Sequence, residues 1–313
     1  MTAPVLICGS VAFDTIAVFE GRFKDHILPD RIHALSVSFF VPTMRREFGG
    51  CSGNIAYNLK LLGGQPIPVA TVGDDAVAYL ARFKELGIDT SKIRSVPGTL
   101  TAQCFITTDL DDNQIASFHP GAMEQAADND LTGQQAAWAI VAPDAKAGMV
   151  AHAKRLHAQG TPFIFDLGQA MPLFDGDDIK EMIALAQVLC VNDYEASVVE
   201  QRTGKTIEQL AAGLQAVIIT RGGEGATLYT AGRVEHIDPV IPAAIIDPTG
   251  CGDAHRAGLL YGLTLGWSWG DACKLGNLMG SLKIASRGPQ NHAPTRAQIS
   301  AQLHAQFGLR LPG

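Results

Sequence analysis

The densest collection of chemistry-bearing residues is the run IIDPTGCGDAHRAG, residues 245–258. Pro248 and Gly250 punctuate the chain, and small or apolar residues then recur at spacings of three and four: Ala254, Ala257, Gly258, Tyr261, Gly262 and Leu265. That period predicts a helix opened by the glycines, with one face small enough for close packing on a sheet. The free backbone N–H groups of Gly250, Cys251 and Gly252 at such a helix start would form an anion hole, reinforced by the helix dipole. Asp253 is the unusual element, because a carboxylate beside an anion site repels the ligand unless it has a chemical task. General base is the task that fits: it would take the proton of an attacking hydroxyl while the anion hole and a metal stabilise a transferred phosphoryl group. An acid in a first helical turn also simply complements the dipole, so the local pattern alone leaves both readings open.

Other phosphate signatures fail. TGKT at residues 203–206 imitates the end of a Walker A loop, but the position of its first glycine holds Val199 and no strong apolar strand precedes it. Gly250 and Gly252 would need a third glycine where His255 stands, and they lie far from the first strand, so a dinucleotide fingerprint is absent and hydride transfer is disfavoured. No H-E-x-x-H or G-x-S-x-G occurs.

The elements that must position these residues are legible as short apolar runs: residues 5–9, 67–73, 137–143, 162–168, 188–193 and 216–223. Several are followed by helical segments, the pattern of an α/β fold with a parallel sheet. Ser10, Gly73, Asp74, Asp166, Asn192 and Thr220 fall at the carboxyl ends of these predicted strands, the edge where open α/β sheets bind ligands. Two stretches break the rhythm. Leu35, Val37, Phe39 and Val41 alternate in a strand-like period of two, and TAQCFITTD followed by DLDDNQ and IASFHP predicts a hairpin. Together they suggest a small β-sheet lid, residues 12–50 and 98–121, over a core of residues 1–11, 51–97 and 122–313. The lid strands could also pair across a homodimer axis.

Composition narrows the classes of partner. The 313 residues include 24 Lys plus Arg and 31 Asp plus Glu, a net charge of −7 with 47% hydrophobic residues. Interspersed acidic charge disfavours nucleic acid and acidic lipid, and charge-free runs such as residues 257–270 are too short to span a membrane. The N-terminus lacks a basic region, so no signal peptide is read and a cytoplasmic protein is expected. Six cysteines, Cys8, Cys51, Cys104, Cys190, Cys251 and Cys273, contain no C-x-x-C pair. A thiol at a helix start, such as Cys251, has a lowered pKa unless burial makes it inert. No internal repeat or low-complexity tract is seen.

GSVAFD near the N-terminus, FGGCSGN, TTDLDDNQIASFHPGAM, VNDYE and DPTGCGDAHRAG occur in this order along the chain. On these segments it resembles, end to end, the ribokinase-like (PfkB) carbohydrate kinase family, and within it the bacterial adenosine kinases. The resemblance implies a three-layer α/β/α core with a mainly parallel sheet and a β lid. It implies ATP-dependent phosphoryl transfer to the adenosine 5'-hydroxyl, giving AMP and ADP, with Asp253 as base over the Gly250, Cys251 and Gly252 anion hole. Cys251 departs from the family's small Ala or Ser, and His255 from its Phe or Thr. The N-x-x-E motif is Asn192 to Glu195, implying that Glu195 acts on Mg²⁺, through water where the ion keeps its hydration. Asn192, Thr220, Gly222, Gly225, Thr249 and Asn277 are implied for the nucleotide, with Arg221 a candidate phosphate contact.

For the acceptor, the resemblance implies Asp14, Gly50 and Asn54 at the ribose, and Ser10, Ser38, Phe118 and Gln169 at the base. Phe118 would stack on a purine, with Phe105 a candidate second wall because Cys104 stands where the family's aromatic aligns. The family also leaves open a monovalent cation such as K⁺, with Asp247 the candidate contributor. Rival readings are a ribose or fructose kinase, a nucleoside kinase of broader base tolerance, and a catalytically silent nucleoside sensor.

Overall fold

The computed structural model describes residues 3–27, 36–111 and 113–313. Nine strands form the main sheet: β1 (Pro4–Cys8), β4 (Gln65–Val72), β5 (Ile93–Ser95), β8 (Trp138–Val141), β9 (Phe163–Phe165), β10 (Val188–Asn192), β11 (Ala216–Thr220), β12 (Ala226–Thr230) and β13 (Arg233–Ile237). Their order is β13-β12-β11-β10-β9-β8-β1-β4-β5, parallel from β11 to β5 and antiparallel only at β12 and β13. The central strands are apolar throughout because both faces are covered. On one face lie α1 (Cys51–Leu61), α2 (Val77–Leu86), α7 (Cys251–Thr264), α8 (Trp269–Ile284) and α9 (Arg296–Phe307). The other carries α3 (Lys146–Ala158), α4 (Gly176–Leu185), α5 (Asp193–Thr203) and α6 (Ile207–Ala211). This is the expected α/β/α sandwich.

A second sheet of four strands, ordered β3-β2-β6-β7, contains β2 (Ala12–Val18), β3 (Thr43–Gly49), β6 (Ala102–Thr108) and β7 (Gln114–His119). β6 and β7 are the hairpin read from the sequence. The alternating run from Leu35 to Val41, however, is no strand: Leu35 lies outside the described residues and residues 36–41 have no regular structure. Its apolar residues serve a local cluster, in which the Phe39 ring lies 4.9 Å from Phe19 and 5.0 Å from Phe23. The actual strand, β3, is the polar run TMRREFG, which pairs with β2 from Ala12↔Gly49 to Val18↔Thr43. Arg46 is held there by lying 3.6 Å over the Phe13 ring.

The small-residue face of α7 also meets something other than the expected sheet. A Cβ on Gly258 would lie 2.7 Å from the Gly276 nitrogen, and one on Gly262 would lie 2.8 Å from Ala272 Cα. Both contacts are on α8, so the glycines let two helices approach backbone to backbone. TGKT joins two helices and cradles no phosphate: Gly204 is the left-handed C-cap of α5 at φ 68°, and Thr206 is the N-cap of α6.

Candidate active site

Strand β1 leads to Ser10, and the chain returns from β3 through Gly50 into α1. Gly50 is obligatory: its φ is 84°, and a Cβ there would lie 2.6 Å from both the Ala12 nitrogen and the Ser10 carbonyl oxygen. The tight junction carries Asn54, only 4% exposed, into the first turn of α1. Across from it Gly250, at φ 80°, caps α7 and puts Cys251, Gly252 and Asp253 in that helix's first turn. Asn54 Nδ2 donates to Asp253 Oδ2 at 2.8 Å. Burial pushes the Asp253 carboxyl up to about 7, against the Asn54 hydrogen bond and the Arg256 charge, with Asp166 reinforcing the rise. A carboxyl poised near neutrality at a helix N-terminus can exchange a proton at ordinary pH. Of the three expected anion-hole donors, the Cys251 N–H is already taken by the Pro248 carbonyl at 3.1 Å.

Behind this pair run two buried supports that the sequence did not reveal. Gln290 Nε2 donates to Asn54 Oδ1 at 3.0 Å and to Tyr79 Oη at 2.7 Å, while Tyr79 Oη donates to the Gly49 carbonyl at 2.7 Å. A hydrogen-bonded chain thus joins Asp253 to the end of β3. Beneath α7, Arg256 makes a two-pronged ion pair with Asp166, Nε to Oδ2 at 3.0 Å and Nη2 to Oδ1 at 3.2 Å. Asp166 was visible as a strand-end acid, whereas Arg256 was not singled out. Nothing in the sequence pairs them.

A cavity of about 260 Å³ opens beside the anion hole. It brings together Thr220, Gly222, Gly225, Cys251, Gly252 and Asn277, six residues singled out from the sequence. The cavity forms because the β11–β12 connection is a tight glycine turn, where a Cβ on Gly225 would lie 2.2 Å from the Ile237 carbonyl oxygen. Asn277 braces the facing strand end, its Nδ2 donating to Ile237 and Asp238 carbonyls at 3.2 and 2.8 Å. Thr249 does not line the cavity; its N–H donates to Asp247 Oδ1 at 2.9 Å and shapes the turn before Gly250. Arg221 donates instead to Thr227 Oγ1 at 3.0 Å, so its guanidinium is committed to the neighbouring strand. His255 also lines the cavity, and neither ring nitrogen has a hydrogen-bond partner. Burial lowers its pKa to about 3, keeping the ring neutral. The Cys251 thiol is pushed by burial up to about 11, so the lowered pKa expected of a helix start is overridden.

The register of the small sheet decides the other half of the site. Glu47, Asp14, Cys104 and Phe118 are directly paired neighbours on β3, β2, β6 and β7, so their side chains form one row on one face. Burial, Glu47 and Asp247 raise the Asp14 carboxyl to about 6. Phe118 remains half exposed on its strand, its ring free to receive an apolar surface. Phe105 is one residue out of step and faces the opposite side, so it is no second wall. Ser10 is occupied structurally: its Oγ accepts the Cys51 N–H at 3.1 Å at the start of α1. Ser38 is exposed in the irregular segment before β3. Gln169 is exposed in the turn after β9, at the same sheet edge as Asp166.

Asn192 and Glu195 form a reciprocal cap of α5. The Asn192 N–H and Nδ2 donate to Glu195 Oε2 and Oε1 at 2.8 and 2.9 Å, and the Glu195 N–H donates to Asn192 Oδ1 at 2.8 Å. Each carboxylate oxygen has one protein donor and spare lone pairs, which suits contact with hydrated Mg²⁺ better than direct ligation. A monovalent cation fits less well. Both Asp247 carboxylate oxygens accept backbone N–H groups, Oδ1 from Thr249 at 2.9 Å and Oδ2 from Gly288 at 2.8 Å. Its carbonyl accepts from Lys283 Nζ at 2.7 Å.

The pfkB family carbohydrate kinase model matches residues 17–296. A nucleoside kinase of Burkholderia thailandensis, solved with inosine, is 50% identical over 99% of this chain and 100% of that one, with a TM-score of 0.90. Its complex with ADP-inosine superposes with a TM-score of 0.85 at 51% identity, covering 99% of this chain and 98% of that one. A nucleoside kinase of Methanocaldococcus jannaschii is 27% identical over 86% of this chain and 89% of that protein. At the level of fold alone, a Thermotoga maritima ribokinase superposes over 97% of this chain and 99% of that one with a TM-score of 0.81 at 20% identity.

Proposed function

The chain belongs to the pfkB family of carbohydrate kinases, and from that premise we propose that it transfers the γ-phosphoryl group of ATP to the 5'-hydroxyl of nucleosides, adenosine and inosine among them. The observation that carries the reading is the carboxyl of Asp253, at about 7, held by Asn54 in the first turn of α7 beside the cavity. The likeness to a kinase solved with inosine supports a nucleoside as acceptor and extends the expected range beyond adenosine.

In this reading Asp14 accepts the hydrogen bonds of the ribose diol and Phe118 stacks on the base. Asn54 is a positioning residue for Asp253 through its amide, with its second N–H left for the sugar. Asp253 takes the hydroxyl proton as the oxygen attacks phosphorus in line, and the N–H groups of Gly250 and Gly252 face the charge on the transferring group, while the Cys251 N–H holds the turn through the Pro248 carbonyl. ATP occupies the cavity from Thr220 to Asn277. Glu195, with spare lone pairs on both carboxylate oxygens, would hold a hydrated Mg²⁺, which would supply charge neutralisation for the phosphates. The four-stranded sheet acts as a lid that excludes water.

The test is ADP release from MgATP by purified protein with adenosine, inosine, guanosine, cytidine, ribose or fructose supplied separately. Turnover with purine nucleosides is the expected result. Turnover only with free sugars would remove Phe118 from acceptor recognition, and none with any acceptor would leave a nucleoside sensor.

A further inference from the structure

Lys283 is 0% exposed, in the last turns of α8. A buried ammonium is stable only when its protons are matched to oxygen. Two are placed: Nζ donates to the Asp247 carbonyl at 2.7 Å and to the Ser286 carbonyl at 3.0 Å. These carbonyls belong to different segments. Asp247 begins the turn that ends at Gly250 and the anion hole, and Ser286 lies in the turn after α8. The segments are also sewn together by the Ile246 N–H to the Ile284 carbonyl at 2.9 Å and by the Gly288 N–H to Asp247 Oδ2 at 2.8 Å. The titratable groups facing the ammonium are Asp247 of the turn itself, Glu47 of β3 and Cys251 of α7, whose buried thiol stays neutral.

We infer that the Lys283 ammonium is a built-in cation, doing permanently what an exchangeable monovalent cation beside Asp247 would do: drawing two turns together so that the anion-hole N–H groups are aimed before substrate arrives. A small cation coordinated by the same carbonyls would have to sit against the ammonium in a buried site. Like-charge repulsion excludes it, because the ammonium already occupies the Asp247 and Ser286 carbonyls that would coordinate the ion. The chain therefore does not need K⁺ at this position, in contrast to what its family resemblance left open.

The test exchanges K⁺ for tetramethylammonium at constant ionic strength, using MgATP prepared without alkali metal and inosine as acceptor, and reads both ADP release and thermal midpoint. For the unaltered protein we expect turnover to change less than about twofold and the midpoint to stay within about 1 °C, because no ion binds selectively to the native state. Lys283→Ala should lose about tenfold or more in turnover in tetramethylammonium through misaimed anion-hole donors. K⁺ or NH₄⁺ should then restore part of the rate and raise that variant's midpoint saturably. Lys283→Met, which keeps the length of the side chain, serves if the alanine variant does not fold. Saturable activation of the unaltered protein by K⁺ of about fivefold or more would overturn the inference. So would a folded Lys283 variant indifferent to K⁺ in both readouts. The kinetic arm rests on the phosphoryl-transfer reading, whereas the thermal arm does not. Absence of turnover with every acceptor would therefore count against that reading and leave the midpoints to decide the role of Lys283.

Discussion

Replacing Asp253 with Asn separates the catalytic from the structural consequences of burying that carboxylate. The side chain keeps its size, and its oxygen can still accept from Asn54 Nδ2, now 2.8 Å from Asp253 Oδ2. With the carboxyl at about 7, the ionised base is about one tenth of the total at pH 6 and about nine tenths at pH 8. For the unaltered protein, kcat/KM for the nucleoside should fall about tenfold per unit below pH 7 and level off above about pH 8. The Asp253→Asn variant should be about 10²- to 10⁴-fold slower, with that limb gone. Stability should move the other way. A carboxyl whose pKa rises on folding from 3.8 to about 7 binds its proton more tightly in the native state, so stability falls as pH climbs through that window and stays low above it. The upper bound of the penalty is about 4 kcal/mol at roughly 1.4 kcal/mol per unit; partial solvent access reduces it to about 1–2 kcal/mol. At pH 8 the variant should therefore melt about 1.5–3 °C higher than the unaltered protein, and at pH 4 the advantage should vanish. Initial rates across pH 5.5–9 and melts at both pH values measure all of this. A variant that retains turnover within a few-fold, or an acid limb centred near pH 4, would refute the base assignment.

Arg256→Met should cost about 3–5 kcal/mol in urea unfolding because it strands the buried Asp166 carboxylate, and adding Asp166→Asn should recover part of that loss; a cost below about 1 kcal/mol for the single change would show that the pair contributes little. Gly258→Ala should destabilise by about 1–3 kcal/mol, since its Cβ would meet the Gly276 backbone at 2.7 Å, and unchanged unfolding would place the helices farther apart than described. Phe118→Ala should raise KM for inosine about 3- to 10-fold while leaving KM for ATP unchanged, which equal effects on both substrates would contradict.

The core strands, the β6–β7 hairpin and the helix opened by Gly250 were legible because each is a local pattern of apolar period and turn residues. The cavity residues Thr220, Gly222, Gly225 and Asn277 were legible as a nucleotide site only through the family resemblance: the first three lie at the β11–β12 connection, whereas Asn277 sits in the middle of α8, where no local pattern marks it. β3 was missed because it is an edge strand held by pairing with β2 and by Arg46 over Phe13, while a neighbouring aromatic cluster produced the alternation that imitated it. The supports of the site were missed because they join residues remote in sequence: Gln290 meets Asn54, and Arg256 meets Asp166. Lys283 did leave a trace. With Leu275 and Met279 it repeats at intervals of four on a buried helical stripe, where a charge has to be answered by an unseen partner.

The contact of Gly258 and Gly262 with α8 decides which part of the molecule can travel. Where main chains touch, there is no layer of side chains to act as lubricant, and a helix locked in this way cannot slide or roll without steric collision. The end of α7 that carries Asp253 is therefore the anvil. In the phosphoryl-transfer reading, any closing stroke is delivered by the sheet that bears Asp14 and Phe118, swinging on the short passages at Ser10 and Val11, at Gly50, around Leu100 and at Pro120. Those few residues, and not α7, are then expected to set how fast the two halves of the site meet.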